Sequence, residues 1–276
     1  MAERVEMEAR VLPEQDGERL DQVAARLFPE YSRSRLQAWI RAGELQLDGG
    51  SCRPRDKVSA GALLEVRAEV EEAVGWQPQH IALDILHEDA SIIVINKPAG
   101  LVVHPAAGHA DGTLVNALLH HAPEMANLPR GGIVHRLDRE TSGVMVAAKS
   151  LQAHHSLVAQ LQARSVKRQY CAVCIGVMTG GATIDAPIGR HAKQRKKMAV
   201  LAVGGKPAIT HYRVVKRFGH HTRIAVNLET GRTHQIRVHM KHAGAPLLGD
   251  PIYSTPTRQP RDPGRLMLHA WRLGFS

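Results

Sequence analysis

Residues 131–143 read Gly131-Gly132-Ile133-Val134-His135-Arg136-Leu137-Asp138-Arg139-Glu140-Thr141-Ser142-Gly143. A glycine pair opens this segment, and an apolar run from Gly143 to Ala148 follows it, as is typical of a buried strand. The residues between are mostly polar, and loops flanked by strands are common places for functional side chains. The pattern alone nevertheless favours a plainer interpretation, a loop in which Asp138 caps a turn and the arginines are solvated.

The segments around this loop predict an α+β fold with a mixed, largely antiparallel sheet flanked by helices and loops. Apolar runs follow one another without the regular strand–helix alternation that produces a parallel sheet. The predicted strands cover residues 92–95, 143–148, 169–177, 208–216, 223–228 and 266–273. Apolar residues at helical spacing predict one helix over residues 150–164 and another from about 233 to 244.

The N-terminal part of the chain predicts a separate small domain. Residues 1–15 are largely polar and are interpreted as a tail. Residues 16–75 combine two amphipathic helices with two short strands, and an acidic stretch ending near Gly75 marks a domain boundary. Residues 76–90 are then a linker and lead-in, and residues 91–276 form the larger domain.

Composition restricts the class of protein. The formal net charge is +10 and the pI is about 9.9, a balance that favours polyanionic partners. The chain has no apolar run of about 18 residues and no signal-peptide pattern at its start, which predicts a soluble cytoplasmic protein without a membrane partner. Cys171 and Cys174 lie three apart in a predicted strand and would point to opposite faces, so no metal site is predicted there.

Two segments are locally basic and are candidates for nucleic-acid binding. The small domain is rich in arginine, and the segment from Ile188 to Arg217 holds nine lysines and arginines with no acidic residue. A solvated face is the plainer interpretation of a charge run, but phosphate groups would relieve the repulsion within it. The candidates are Arg33, Arg35, Arg41, Arg190, Lys193, Lys196 and Lys197.

A resemblance to a known family connects these features. The segment from His135 to Gly143 resembles the signature of the RluA-type pseudouridine synthases, whose aspartate is catalytic. Residues 96–105, 167–170, 228–237 and 249–253 resemble the other motifs of that family, in the family's order. Residues 16–70 resemble the S-four-type RNA-binding domain that many members carry in front. The resemblance implies the pseudouridine synthase fold and an enzyme that isomerises uridine to pseudouridine in RNA, with no cofactor or metal.

The resemblance also implies residue roles. Asp138 is the catalytic carboxylate, and Arg232 is the guanidinium that keeps it ionised. Tyr170 packs on the uracil that has been flipped out of the RNA, and Ile236 forms an apolar floor under it. The residues leave open whether the carboxylate forms a covalent sugar adduct, acts through a glycal intermediate or attacks the base.

The resemblance also assigns contact with RNA to Arg136 and His135, which precede Asp138. Arg136 resembles the family arginine that enters the gap left in the RNA stack. His135 either lines the same channel or makes a structural hydrogen bond to the backbone.

Within the family, the spacing and the residues of the motifs are most similar to those of the RluD subfamily, which modifies a stem-loop of large-subunit (23S) ribosomal RNA. Expected partners are therefore this RNA and the assembling large ribosomal subunit, for an enzyme acting as a monomer. Members normally continue beyond the position of Ser276, which implies a catalytic domain truncated at its C-terminus. Two alternatives stay open: a non-catalytic RNA-binding or ribosome-assembly factor, and a nucleoside or glycoside hydrolase that releases free uracil.

Overall fold

A computed structural model describes residues 3–29, 31, 33–70, 76–105, 111–194, 197–254 and 263–276 of the 276-residue chain. The chain divides into two compact units, residues 1–75 and 76–276. Each unit has its own buried apolar core. No helix in these described segments is long and apolar enough to cross a lipid bilayer.

The small unit is a three-stranded antiparallel sheet with two helices. Its elements are β1 (Glu3–Arg10), α1 (Leu20–Leu27), α2 (Arg33–Ala42), β2 (Leu45–Leu47) and β3 (Leu63–Val70), and the strand order is β1-β3-β2. Leu20 and Val23 of α1 and Leu36 and Ile40 of α2 share one core with Leu64 of β3. Spacings of three and four residues place each pair on a single helix face, which is why both helices bury one side.

The prediction of a polar tail over residues 1–15 is wrong, because residues 3–10 form a strand. β1 pairs with β3 along its whole length, from Glu3 opposite Val70 to Arg10 opposite Leu63. Val5 is buried in the core of the small unit, with Met7 and Ala9 packed against it. The apolar residues of β1 alternate with charged ones, the period of a half-buried strand. The charged positions gave the segment its polar composition.

The large unit contains an eight-stranded sheet and a two-stranded hairpin. The strands are β4 (Ile85–Glu88), β5 (Ile92–Lys97), β6 (Ser142–Ala148), β7 (Lys167–Ile175), β8 (Ala182–Asp185), β9 (Ile188–Arg190), β10 (Met198–Val200), β11 (Ile209–Arg217), β12 (His221–Leu228) and β13 (Leu268–Gly274). The sheet order is β4-β5-β6-β13-β7-β12-β11-β8, and every neighbouring pair is antiparallel except β6 and β13. This confirms the predicted α+β class and the mixed, largely antiparallel sheet.

Residues 85–88 belong to the sheet, so the prediction of a linker over residues 76–90 is wrong at this point. β4 pairs with β5, and the segment before it is tied to α3 (Leu114–His121). Asn116 Nδ2 donates to Gln77 O at 2.8 Å, and Gln79 N donates to Asn116 O at 3.0 Å. Residues 71–75, where an acidic boundary was predicted, lie outside the described residues.

The parallel contact between β6 and β13 depends on Gly143. Its φ is 118°, and a Cβ on it would lie 2.2 Å from Ala270 O. Only glycine fits such a close backbone approach. Because β6 starts directly after the loop that carries Asp138, this contact fixes where the loop ends.

Two more helices pack on the large sheet, α4 (Leu151–Gln162) and α5 (Gln235–His242). Ile236 and Met240 of α5 share a core with Cys174 of β7 and Val226 of β12. Cys174 is fully buried there, whereas Cys171 is only partly buried. The core under α5 therefore anchors one side of the site described below.

Candidate active site

The loop that carries Asp138 is fixed to the end of β5. Lys97 is only 1% exposed, and its Nζ donates hydrogen bonds to the carbonyl oxygens of Pro98, Leu101 and Arg139 at 2.8, 2.9 and 3.0 Å. Burial lowers the pKa of Lys97 to about 8, so the ammonium form still dominates at neutral pH. The residue that follows Asp138 is therefore tied to the first motif segment of the chain.

Arg237, in α5, is the cation beside Asp138. Its Nη1 donates a hydrogen bond to Asp138 Oδ2 at 3.3 Å. The Arg237 side chain is 3% exposed, whereas that of Asp138 is 18% exposed and lines a cavity. On its other side the guanidinium binds Asp250, with Nε donating to Oδ2 at 2.8 Å and Nη2 to Oδ1 at 2.9 Å. Such a bidentate pair fixes both the position and the plane of the guanidinium.

Asp250 is fully buried and holds this arrangement in place. Its Oδ1 also accepts hydrogen bonds from the backbone N–H groups of Ile252 and Tyr253, at 2.8 and 3.0 Å. Burial alone would raise the pKa of Asp250, but the hydrogen bonds and charge of Arg237, with these two N–H groups, lower it below its usual value. The Asp250–Arg237 pair therefore stays ionised and leaves the Nη1 group of the guanidinium for Asp138.

The prediction that Arg232 pairs with Asp138 is wrong. Arg232 lines the same cavity, but its Nε donates to Pro207 O at 3.0 Å and its backbone N–H to Gln235 Oε1 at 2.9 Å. Arg232 precedes α5, whereas Arg237 is a buried residue within the helix. Both arginines belong to the segment 228–237, so the motif could indicate the segment but not which arginine faces the carboxylate.

His234 is a second neighbour of Asp138 that the sequence analysis did not single out. Its backbone has a left-handed φ of 57°, and its Nε2 lies 3.9 Å from Asp138 Oδ2. Its Nδ1 shares a 2.8 Å hydrogen bond with the Tyr253 hydroxyl, which also accepts from Met198 N at 2.9 Å. Burial lowers the pKa of His234 although the charge of Asp138 opposes this, so the ring is neutral at pH 7. Its position inside the segment 228–237 is the signal that could have found it.

Tyr170 and Ile236 line the cavity that Asp138 faces. Ile236 is 4% exposed and belongs to the core under α5. Burial raises the pKa of Tyr170 to about 12, with the charge of Arg168 acting against this, so the hydroxyl is protonated at physiological pH. An aromatic ring and an isoleucine give the cavity two apolar surfaces suited to a flat, uncharged ring.

His135 and Arg136 have different positions, although both line the cavity. His135 Nε2 accepts a hydrogen bond from Val146 N at 3.1 Å, and burial lowers its pKa to about 4. His135 therefore lies in the cavity wall and also makes the backbone hydrogen bond, so the structure contains both features predicted for it. Arg136 is exposed, so its guanidinium is accessible from solvent.

The cavity has a volume of about 510 Å³ and is strongly basic. Besides Arg237, it is lined by Arg130, Arg136, Arg164, Arg168 and Arg232. Its carboxylates are Asp138 and Glu229, and Glu229 Oε1 lies 2.6 Å from His211 Nε2. Across the described ranges, His, Cys, Asp and Glu side chains form no group of three or more that could hold a metal ion.

In the small unit, Arg33 is bound to a buried carboxylate. Its Nε and Nη2 lie 3.2 and 2.7 Å from Asp21 Oδ2, which also accepts from Gln37 Nε2 at 2.5 Å. Arg19 binds the same carboxylate through two nitrogens at 3.0 and 2.9 Å. Burial would raise the pKa of Asp21, but these donors lower it to about 2. Arg33 therefore compensates a buried charge.

The other basic residues predicted to bind RNA, where the structure describes them, are exposed or partly buried in the two units. In the small unit, Arg35 is partly buried and the exposed Arg41 donates to Gln37 Oε1 at 3.4 Å. A cavity of about 600 Å³ there is lined by Arg19, Gln37, Arg41, Arg53, Pro54, Arg55 and Asp56. In the hairpin of β9 and β10, Arg190 and Lys193 are exposed and Lys197 is partly buried. Lys196 lies outside the described residues.

The chain belongs to the RNA pseudouridylate synthase family, whose family model matches residues 91–242, more than half of the chain. The S4 domain model matches residues 18–64, inside the small unit. These two matches define the class of protein: an RNA pseudouridine synthase with RNA as its substrate and an RNA-binding domain in front.

Curated relatives and solved structures agree with this class. The chain is 61% identical to ribosomal large subunit pseudouridine synthase D of Pseudomonas aeruginosa, over 94% of this chain and 81% of that protein. It is 52% identical to the protein of the same name from Escherichia coli strain K12, over 95% of this chain and 80% of the relative. Human RNA pseudouridylate synthase domain containing 1 matches with a TM-score of 0.59 and 27% identity, over 71% of this chain and 79% of that structure.

Proposed function

We propose that this protein isomerises specific uridines to pseudouridine in large-subunit (23S) ribosomal RNA, with Asp138 as the catalytic carboxylate. The observation that carries the proposal is one carboxylate, partly exposed in a basic cavity and hydrogen-bonded to a buried arginine. The high identity to two proteins named for the large ribosomal subunit supports the choice of RNA.

The reaction breaks the C1′–N1 bond of uridine, turns the uracil and forms a C1′–C5 bond. One proton leaves C5 and one joins N1, so no redox partner is needed. The anomeric carbon requires a negative group beside it, as a nucleophile or to stabilise developing positive charge. Asp138 supplies that group, and the hydrogen bond from Arg237 orients it in a partly buried place.

The other residues hold the base and the RNA. A uridine in a stem or stacked loop must first be flipped out, at a cost of a few kcal/mol. Tyr170 and Ile236 then contact the two sides of the uracil. Because the Tyr170 hydroxyl is protonated, it can take up the C5 proton only after giving its own proton to N1. The exposed guanidinium of Arg136 fills the gap in the RNA stack, since its plane stacks well on bases. Arg232 binds RNA at the cavity.

The remaining basic surfaces contribute affinity that does not depend on sequence. We assign this role to Arg33, Arg35 and Arg41 of the small unit and to Arg190, Lys193, Lys196 and Lys197 of the larger one. The assembling large ribosomal subunit is the particle in which this RNA is encountered. We further propose that the enzyme is a monomer and that it acts in the cytoplasm.

The test is incubation of the wild type and Asp138→Ala with a uridine-containing 23S stem-loop transcript. Carbodiimide-dependent primer-extension stops detect pseudouridine, and chromatography detects free uracil. The expected result is pseudouridine with the wild type and none with Asp138→Ala, while both bind the transcript. Product from Asp138→Ala at the wild-type rate would overturn the assignment. Release of uracil by the wild type would indicate a hydrolase, and an unmodified transcript would indicate a non-catalytic binder.

A further inference from the structure

An uncommon backbone conformation is concentrated around the cavity. Among the described residues, those other than glycine with positive φ are Asp48, Arg130, Arg164 and His234. The last three, with φ of 56°, 58° and 57°, all line the cavity that Asp138 faces. Left-handed conformations are unfavourable for residues with a Cβ, and such strain clusters at functional sites. For His234, the conformation places the ring next to Asp138. The positive φ values of Arg130 and Arg164 need another explanation.

Arg164 occupies a position that glycine usually takes. It follows Ala163, the C-cap of α4, and the backbone forms the two hydrogen bonds of a Schellman motif. Ser165 N donates to Gln160 O at 3.0 Å, and Arg164 N donates to Leu161 O at 3.3 Å. Because glycine would close this helix without strain, the turn does not account for an arginine here. Its attraction to the negative end of the helix is one explanation, and its place in the cavity wall is another.

Arg130 has its conformation set by the chain that follows it. Gly131 and Gly132 also have left-handed φ values of 60° and 77°, and a Cβ on Gly132 would lie 2.0 Å from Ala148 O. The segment is therefore pressed against the end of β6. The Arg130 side chain is nevertheless exposed, and it lines the cavity rather than the core.

The charge around these two residues is uncompensated. Within the described part of the chain, neither Arg130 nor Arg164 pairs with a carboxylate. Although Arg130 is exposed, its guanidinium is partly removed from water at the cavity wall, and this desolvation, followed by the nearby charge of Arg136, lowers its pKa. Like charges therefore lie close together on this side of the cavity. In the same wall, Arg168 has a buried Nε that finds no hydrogen-bond partner among the described residues. An anionic ligand would relieve this repulsion, and the anion that must approach is a phosphate of the RNA.

We propose that Arg130 and Arg164 are substrate-binding residues that hold the phosphates of the nucleotides flanking the target uridine at the wall of the cavity. This rests on the proposed function for the identity of the substrate. A phosphate contact of this kind positions the RNA without reading its sequence. The two arginines keep a strained backbone because that conformation directs their side chains into the cavity.

The test uses Arg164→Gly and Arg164→Asn, since both replacements suit a left-handed position and remove the charge. Arg130→Gly likewise places a residue suited to a left-handed position there and removes the charge. The measurements are the thermal unfolding midpoint, the salt dependence of binding to the 23S stem-loop transcript, and single-turnover rates over a range of RNA concentrations. Arg272→Gln, an exposed strand residue outside the cavity lining, is the matched control.

The expected result for each variant is a log–log salt slope shallower by about 0.7–0.9, the value for one lost phosphate contact. The midpoint of Arg164→Gly should not fall, because the backbone strain is removed. The RNA concentration for half-maximal rate should rise about tenfold, with the rate at saturation near that of the wild type. Arg272→Gln should change none of these quantities.

A salt slope equal to that of the wild type in both Arg164 variants would overturn the proposal. A lower midpoint with that unchanged slope would identify Arg164 as a helix-end residue alone. Failure of the proposed function is distinguishable, since the wild type would then form no pseudouridine whatever the slopes of the variants.

Discussion

Asp21 and Asp138 are both bound by arginine, and they differ in how much of the carboxylate stays free for another partner. Asp21 in the small unit is fully buried, and two arginines and a glutamine all donate to it. Asp138 in the large unit receives one guanidinium hydrogen bond at 3.3 Å and stays 18% exposed to a cavity. The carboxylate of Asp21 is enclosed by these donors, so its role is to stabilise the fold. The carboxylate of Asp138 keeps lone pairs for a substrate, and its arginine is fixed from behind by Asp250.

The largest effect should come from removing the arginine that joins two carboxylates. Arg237→Met leaves Asp250 buried without its counter-charge, which costs about 3–5 kcal/mol of unfolding free energy. Urea denaturation would measure it. Arg232→Met, in the same segment, is the matched control and should cost less than about 1 kcal/mol, since it loses one hydrogen bond to Pro207 O. Equal losses for the two variants would restore Arg232 as the structural partner.

The next largest effect concerns Asp21, the carboxylate enclosed by two arginines and a glutamine. Asp21→Asn should lower the unfolding free energy by about 1–3 kcal/mol, less than Arg237→Met because Arg19 and Arg33 are 35% and 44% exposed and can be solvated. Denaturation of the small unit would measure it. A stability equal to that of the wild type would show that the cluster of Asp21, Arg19, Arg33 and Gln37 does not contribute to the stability of the fold.

A smaller effect is the acid sensitivity of the same cluster. The pKa of Asp21 in the folded state is about 2, below its ordinary value of 3.8. A lowered pKa means that the carboxylate stabilises the fold above pH 4 and that this contribution is lost as the pH falls toward 2. In Asp21→Asn, the stability of the small unit should depend less on pH over this window. An unchanged slope against pH would contradict the low pKa.

The sequence predicted the site as segments, and the structure assigned the atoms within them. Asp138 could be found because its motif is linear, and strands β5, β6, β7, β11, β12 and β13 could be predicted from apolar runs. The choice of Arg237 over Arg232 could not be made, because it depends on which side of α5 faces Asp250, thirteen residues later in the chain. β1 was missed for a related reason: its charged face concealed a strand whose partner, β3, is more than fifty residues away.

The most direct test compares one substitution at the two carboxylates. Single-turnover pseudouridine formation on the 23S stem-loop would be measured for Asp138→Asn and Asp21→Asn at saturating RNA, with folding checked in each sample. Asp138→Asn should lose about 10³-fold or more of the rate while remaining folded, because the amide carries no charge at the reacting carbon. Asp21→Asn should keep a rate near that of the wild type. A folded Asp138→Asn enzyme with the wild-type rate would contradict the account.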